Sequence, residues 1–150
     1  MNTSSILDYL PYSSPFLFVD EIFSIDENSV SGGYTVDPDL DFYRGHFKNN
    51  RVTPGVILTE CMAQIGLVCL GIYLKNKEMN VAESTNFGLS SSEVEYLKPV
   101  FPGEKVRVVS EKQYFRFNKL KCKVEMFDSK DDLVCKGILA GMIINKKNLD

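Results

Sequence analysis

The chain has 150 residues, 44% of them hydrophobic and 25% charged, with a mean hydropathy of −0.10. That is one domain with a core of its own, spanning 1–150, too short for separate cofactor and substrate domains and too apolar for wholesale disorder. A net charge of −3, from 17 basic and 20 acidic side chains, excludes a protein whose main work is neutralising nucleic-acid phosphates.

The charge is unevenly spread. Residues 1–50 carry 2 basic and 8 acidic side chains, whereas residues 98–123 carry 8 basic (Lys98, Lys105, Arg107, Lys112, Arg116, Lys119, Lys121, Lys123) and 2 acidic. Solvated strand faces account for most of these lysines, and a local basic patch for an acidic partner is the sharper reading. Four cysteines (Cys61, Cys69, Cys122, Cys135) show no C-x-x-C pair, and a single histidine builds no His-rich metal site. Cys61 and Cys69 would stand about 12 Å apart on one helix, too far for a disulfide. Reduced, buried thiols point to the cytoplasm. The N-terminus has no basic region followed by an apolar stretch, so no secretory signal is expected.

In chain order, Ser4–Leu10 is expected to make a capped helical turn that Pro11 stops. Phe16–Ser24 and Ser29–Val36 read as strands joined by the turn residues Asp26–Asn28. Residues 37–53, rich in Asp, Asn, Gly and Pro, form a long irregular stretch of the kind that is usually functional or disordered. Gly55–Leu74, opened by Pro54, is apolar nearly all round and carries one formal charge. Its length suits a membrane span, but Glu60 and Gln64 inside it and the charged flanks favour a buried core helix, with no membrane insertion. After a polar connection at Lys75–Asn80, strands are predicted over Thr85–Tyr96, Lys105–Phe117, Lys121–Phe127 and Leu133–Ile144. Pro99, Pro102 and Gly103 separate the first two; Asn118 and Ser129–Asp132 supply hairpin turns. The pattern predicts an α+β fold, one long helix wrapped by a curved antiparallel sheet, with Gly88, Gly137 and Gly141 marking bulges or close helix–sheet approach.

Three features converge on the loop–helix junction. His46 is the only histidine and lies in this stretch, and histidine is the residue type whose unperturbed side chain suits proton transfer near neutrality. Glu60 is the charged residue of the apolar helix, where burial favours a carboxyl that keeps its proton and acts as an acid. Gly55 opens the helix, so its backbone N–H can face a developing oxyanion with no side chain in the way. Each has a plainer explanation: a lone loop histidine is usually structural, a buried glutamate can pair with a lysine, and Gln64 can be a satisfied core polar group. Base, acid and oxyanion donor within fifteen residues of one loop–helix unit carry the catalytic reading.

The segment Gly45-His46-Phe47, followed by Thr53-Pro54-Gly55-Val56-Ile57-Leu58-Thr59-Glu60-Cys61-Met62-Ala63-Gln64, resembles the signature of the beta-hydroxyacyl-acyl-carrier-protein dehydratases of hot-dog fold, G-H-F-P then P-G-V-x-x-x-E-A-x-A-Q. Leu10-Pro11 with Pro15-Phe16-Leu17-Phe18-Val19-Asp20 is similar to the family's opening L-P-H-x-x-P-F-L-L-V-D. Lys98-Pro99-Val100-Phe101-Pro102-Gly103-Glu104 is similar to its R-P-V-x-P-G-D. The resemblance implies that His46 removes the C2 proton of a (3R)-3-hydroxyacyl thioester while Gly55 N–H polarises the carbonyl. Glu60, held by Gln64, would protonate the departing hydroxyl, giving the trans-2-enoyl thioester without metal or organic cofactor. It further implies a homodimer with sites shared between subunits, sometimes a trimer of dimers, and substrate delivered on an acidic acyl carrier protein. Phe47, Val56 and Phe87 are then the candidate acyl-lining residues, and Arg116 and Lys119 the candidates for carrier docking.

Four departures stand out. Lys48 replaces the proline after G-H-F, Tyr12 stands where the opening often has histidine, Thr53 replaces a larger apolar residue, and Cys61 replaces alanine. None deletes a proposed catalytic group. They suit a paralogue in a dedicated polyene or polyketide-like pathway as well as a housekeeping fatty-acid enzyme. The rival expectations are a hot-dog acyl thioesterase using Glu60 to activate water, and a non-catalytic hot-dog subunit of a heteromer. Isomerase activity is disfavoured, because the related dehydratase-isomerases generally have aspartate at the Glu60 position.

Overall fold

The computed structural model describes residues 2–79 and 86–144. A short helix α1 (Thr3–Leu7) opens the chain. Asn2 caps it by accepting the Ser5 N–H while the Ser5 hydroxyl reaches back to the Asn2 backbone. The strands are β1 (Glu21–Ile25), β2 (Ser29–Thr35), β3 (Asn86–Tyr96), β4 (Lys105–Arg116), β5 (Lys119–Phe127) and β6 (Leu133–Ile144). They form one antiparallel sheet in the order β1-β2-β4-β5-β6-β3. Three contiguous helical pieces, Gly55–Ala63, Gln64–Cys69 and Leu70–Met79, stack as the central helix α2. This is the α+β arrangement expected from the sequence.

The sheet curls because its ladders are broken by bulges, at Ile22/Ser24 in β1, Leu89/Ser91 in β3 and Lys112/Tyr114 in β4, each of which strengthens local twist. The β3 bulge lies opposite Gly141 and Ala140 of β6, so Gly141 sits at a bulge as anticipated. The wrapped face alternates as a half-buried sheet must: Val106, Val108 and Ser110 of β4, and Leu120, Cys122, Val124 and Met126 of β5, are buried against α2. All four cysteines are free and buried. The helix residues Gly55–Lys77 are long and apolar enough to cross a membrane, yet 78% of their most apolar window is buried inside the protein.

The middle of α2, Gln64–Cys69, is a π-helical segment. Wider turns leave carbonyls without their usual partner, and here the buried Ser110 hydroxyl donates to the Gly66 carbonyl at 2.9 Å. Gly66 lets helix and sheet approach closely: a β-carbon there would lie 3.1 Å from Ser110 Cβ and 3.1 Å from Val124 Cγ1.

Several element boundaries differ from expectation, and the opening helix ends at Leu7 instead of Leu10. Phe16–Ser24 was expected to be one strand, but only Glu21–Ile25 pairs. Upstream, the backbone of Phe16 and Phe18 is hydrogen-bonded by side chains of α2 instead of a neighbouring strand. Lys75–Asn80 was expected to be a connection, but the helix continues to Met79. Its lysines are good helix formers, and the exposed Lys77 marks the end that emerges from the sheet. Asn80 and Thr85, the ends of two sequence-derived segments, lie outside the described residues. The β4–β5 hairpin turns on Phe117 and Asn118, both at positive φ (52° and 60°), so Phe117 belongs to the turn and not to the strand.

Gly66→Val is expected to lower the stability of the folded protein by about 1–3 kcal/mol, through overpacking of the helix–sheet contact. Urea unfolding measures this, and an unchanged midpoint would mean that the contact is looser than described.

Candidate active site

His46 follows a short 3-10 turn, Asp41–Arg44, whose buried Tyr43 anchors the loop. The Tyr43 hydroxyl pairs with the buried Thr53 hydroxyl, and Thr53 N–H donates to the Val100 carbonyl at 2.8 Å. The loop is thus braced immediately before α2 begins. His46 Nδ1 lies 2.7 Å from the Val52 carbonyl oxygen. A carbonyl only accepts, so Nδ1 carries a proton, and in the neutral ring it is Nε2 that presents the lone pair. The His46–Phe47 peptide is cis, and the two rings stack with centroids 4.1 Å apart.

His46, Phe47 and Gly55 line one groove of about 460 Å³, together with Thr53, Leu97 and Pro99. Gly55 starts the helix, so its N–H has no carbonyl one turn back and is free for a ligand. The aromatic ring of Tyr96 covers it closely: a β-carbon on Gly55 would lie 3.1 Å from Tyr96 Cε1. Tyr96 is held there by a 2.5 Å hydrogen bond between its hydroxyl and that of Thr59, one turn along the helix.

Glu60 opens on the other side of Tyr96. It shares a groove of about 390 Å³ with Val56, Thr59, Leu89, Val94 and Tyr96, and a small inner cavity with Tyr12 and Phe87. Burial pushes its carboxyl above the ordinary range, and a hydrogen bond donated by Gln64 pulls partly the other way. Gln64 is fully buried and fully used. Its Nε2 donates to Glu60 Oε2 at 3.1 Å and to the Phe16 carbonyl at 3.0 Å, and its Oε1 accepts the Phe18 N–H at 2.8 Å. The satisfied core polar group and the carboxylate holder are therefore one and the same residue.

The structure brings His46 to Gly55 and Glu60 to Gln64, but within one chain it does not bring His46 and Glu60 into a common groove. The three candidate acyl-lining residues divide similarly: Phe47 beside His46, Val56 in the outer Glu60 groove, Phe87 in the inner cavity. Arg116 and Lys119 flank the β4–β5 turn. That turn adjoins the Asn86 end of the sheet, whereas Gly55 and His46 lie at the Tyr96 end. Sequence reasoning missed Tyr96, the residue common to both outer grooves, because nothing in its neighbourhood singled it out. Lys48 is exposed, and the structure offers no account of it. Among the described residues no group of three His, Cys, Asp or Glu is placed to hold a metal ion.

The FabA-like domain family matches residues 10–133. The chain is 34% identical over 92% of its length to the 3-hydroxyacyl-[acyl-carrier-protein] dehydratase FabZ of Caldicellulosiruptor saccharolyticus, covering 95% of that protein. It is also 34% identical over 97% of its length to the bifunctional enzyme LpxC/FabZ of Chlorobaculum tepidum, of which it spans 30%. Among solved structures, the dehydratase heterocomplex ApeI:P from Xenorhabdus doucetiae superimposes with a TM-score of 0.79 at 19% identity, covering 96% of this chain and 93% of that one. A hypothetical thioesterase from Streptococcus pneumoniae, 17% identical, gives 0.61 over 83% and 85% of the two chains. Both structures share the fold, a helix wrapped by a curved antiparallel sheet, and the sequence relatives supply the rest: the chain belongs to the FabA-like family of hot-dog fold, with FabZ dehydratases as its relatives.

Proposed function

We propose that this protein dehydrates (3R)-3-hydroxyacyl thioesters, carried on acyl carrier protein, to trans-2-enoyl thioesters, in fatty-acid or related polyene or polyketide-like biosynthesis. One observation carries the reading: with His46 Nδ1 bonded to the Val52 carbonyl, the proton-accepting nitrogen of the neutral ring is Nε2, in the groove that also holds Gly55 at the helix start. His46 Nε2 takes the C2 proton, and the N–H of Gly55, at the positive end of α2, stabilises the enolate oxygen. Glu60, whose carboxyl burial pushes above the ordinary range, gives its proton to the 3-hydroxyl as the carbon–oxygen bond breaks. The thioester itself acidifies C2, so neither metal nor organic cofactor is required.

His46 and Glu60 of one chain face different grooves, which supports a site completed by a second copy. The edge that fits is β3. Among the described residues it lies at the end of the sheet, paired with β6 alone, and it exposes Leu89 and Tyr96 beside the exposed Val56 of α2. Two β3 edges paired antiparallel would continue the sheet and set the Asn86 end of one chain beside the Tyr96 end of the other. The β4–β5 turn with Arg116 and Lys119 then flanks the His46 groove of the second copy, which supports this basic turn as the docking place for an acidic carrier. A homodimer is thus the minimal active unit in this reading, a trimer of dimers its larger form, and the cytoplasm its location.

Mass spectrometry of carrier protein loaded with 3-hydroxyacyl chains tests the reaction. Wild type should remove one water; His46→Ala and Glu60→Gln should each lose about 10²–10⁴-fold in rate. Release of the whole acyl group would instead make it a thioesterase. Mixing the two inactive variants and allowing subunits to exchange should restore roughly a quarter of wild-type activity, because half of the random dimers contain one intact composite site. Mixtures that stay inactive would place each site within one chain.

Glu60 also ties activity to stability. Its carboxyl holds a proton more tightly folded than unfolded, so it favours the fold below the unfolded carboxyl's pKa and loses that contribution as pH rises through the raised value. Glu60→Gln, uncharged throughout, should therefore melt above wild type at about pH 8, with the gap closing towards about pH 4. A gap independent of pH would contradict this. Reversing charge at Arg116 and Lys119 together should raise KM about tenfold at low salt, with kcat little changed and the effect fading in high salt; an unchanged KM would move the docking place elsewhere.

A further inference from the structure

We propose that the cavity between Tyr12 and Glu60 is the seat of the water molecule that the reaction releases, and that Tyr12 is the residue that holds it. The inference rests on the dehydratase reading. The cavity measures about 30 Å³, and its walls are Tyr12, Glu60, Ala63, Leu67, Phe87 and Leu89 with their neighbours. That is room for about one or two waters and far less than an acyl tail needs. The tail has a better place in the adjoining groove of about 390 Å³, whose wall includes Val56, Leu89, Val94 and Tyr96.

A water needs polar partners as well as space, and the two polar side chains of this cavity are those of Glu60 and Tyr12. Glu60 Oε2 is taken by Gln64, which leaves Oε1 for a ligand. Among the described residues the half-buried Tyr12 hydroxyl meets no hydrogen-bond partner, although every fully buried side-chain polar atom in the protein's described part has one. Burial first, then the Glu60 charge, pushes the Tyr12 hydroxyl up to about 12, so it remains a donor throughout the neutral range. The apolar walls are closely packed. Phe87 sits so close over Gly71 that a β-carbon there would lie 2.3 Å from its ring.

The step balances as follows. The C2–H bond breaks and His46 Nε2 keeps the proton. The C2 electron pair becomes the C2–C3 double bond, the C3–O bond breaks, and the leaving oxygen takes the Glu60 proton. The products are the enoyl thioester and one water, formed within reach of the Glu60 carboxylate. Tyr12 donates to that water's oxygen and delays its escape, so the same molecule is present when the reaction reverses.

Oxygen return tests this directly. A 3-hydroxybutyryl thioester labelled with ¹⁸O at the hydroxyl, on carrier protein, is incubated with the full-length protein in D₂O. The recovered substrate is then weighed for deuterium gained at C2 and ¹⁸O lost. Wild type should lose ¹⁸O about tenfold more slowly than it gains deuterium. Tyr12→Phe should bring the two rates close together, and Tyr12→His, which keeps a donor, should restore the difference. Should Tyr12→Phe fail to fold, as judged by circular dichroism, Ala63→Val fills the cavity from another wall and is expected to act the same way. Equal rates in wild type overturn the seat. So does a difference that survives in the variants, the result that enolate return without carbon–oxygen cleavage would give. Absence of deuterium uptake and of enoyl product in wild type would overturn the dehydratase reading instead.

Discussion

A helix that is apolar on nearly every side cannot face water, and the rest of this molecule follows from covering α2. A flat sheet covers one face only. The bulges in β1, β3 and β4 curl the sheet so that β4 and β5 lie beneath the helix while β1 and β3 rise at its flanks. What the sheet leaves open is closed by the extended segment 16–18. That segment is not a strand because its backbone partners are side chains of the helix: Gln64 takes the Phe16 carbonyl and the Phe18 N–H, and Cys61 Sγ reaches the Phe18 carbonyl at 3.3 Å.

The same constraint produces the chemistry. Polar groups survive on such a helix only where they are satisfied or near an opening. Gln64 is the satisfied case, and by spending its amide on the covering segment it also fixes the orientation of Glu60 one turn earlier. Glu60 is the case near an opening, with burial enough to push its carboxyl above the ordinary range and a groove through which to reach a ligand. The helix start at Gly55 is a third polar feature, an N–H with no partner among the described residues, and the braced 45–53 loop delivers His46 to it.

Three of the four departures from the family pattern acquire a physical account. Thr53 places a hydroxyl where the buried Tyr43 hydroxyl needs a partner. Cys61 adds a weak donor to the covering segment. Tyr12 puts a phenol into the cavity beside Glu60. These residues tune the surroundings of the proposed acid and of the loop that carries the proposed base, while the residues proposed to move protons match the pattern.

Much was legible in the sequence by itself. Periodicity and breakers marked the central helix and five of the six strands, because burial on one face or on all faces leaves a direct trace in side-chain polarity. The spacing His46, Gly55, Glu60, Gln64 marked the loop–helix unit, because a helix turns those last three residues into a fixed geometry. Only the tertiary structure decided that Phe16–Asp20 is a cover and not a strand, since an extended apolar segment reads alike whether its backbone bonds go to a strand or to a glutamine 46 residues away. It also decided that Tyr96 divides the His46 groove from the Glu60 groove, and that Tyr12 shares a cavity with Glu60. Such juxtapositions join residues far apart in the chain, and local polarity and spacing carry no record of which distant side chains the curl of a sheet brings together.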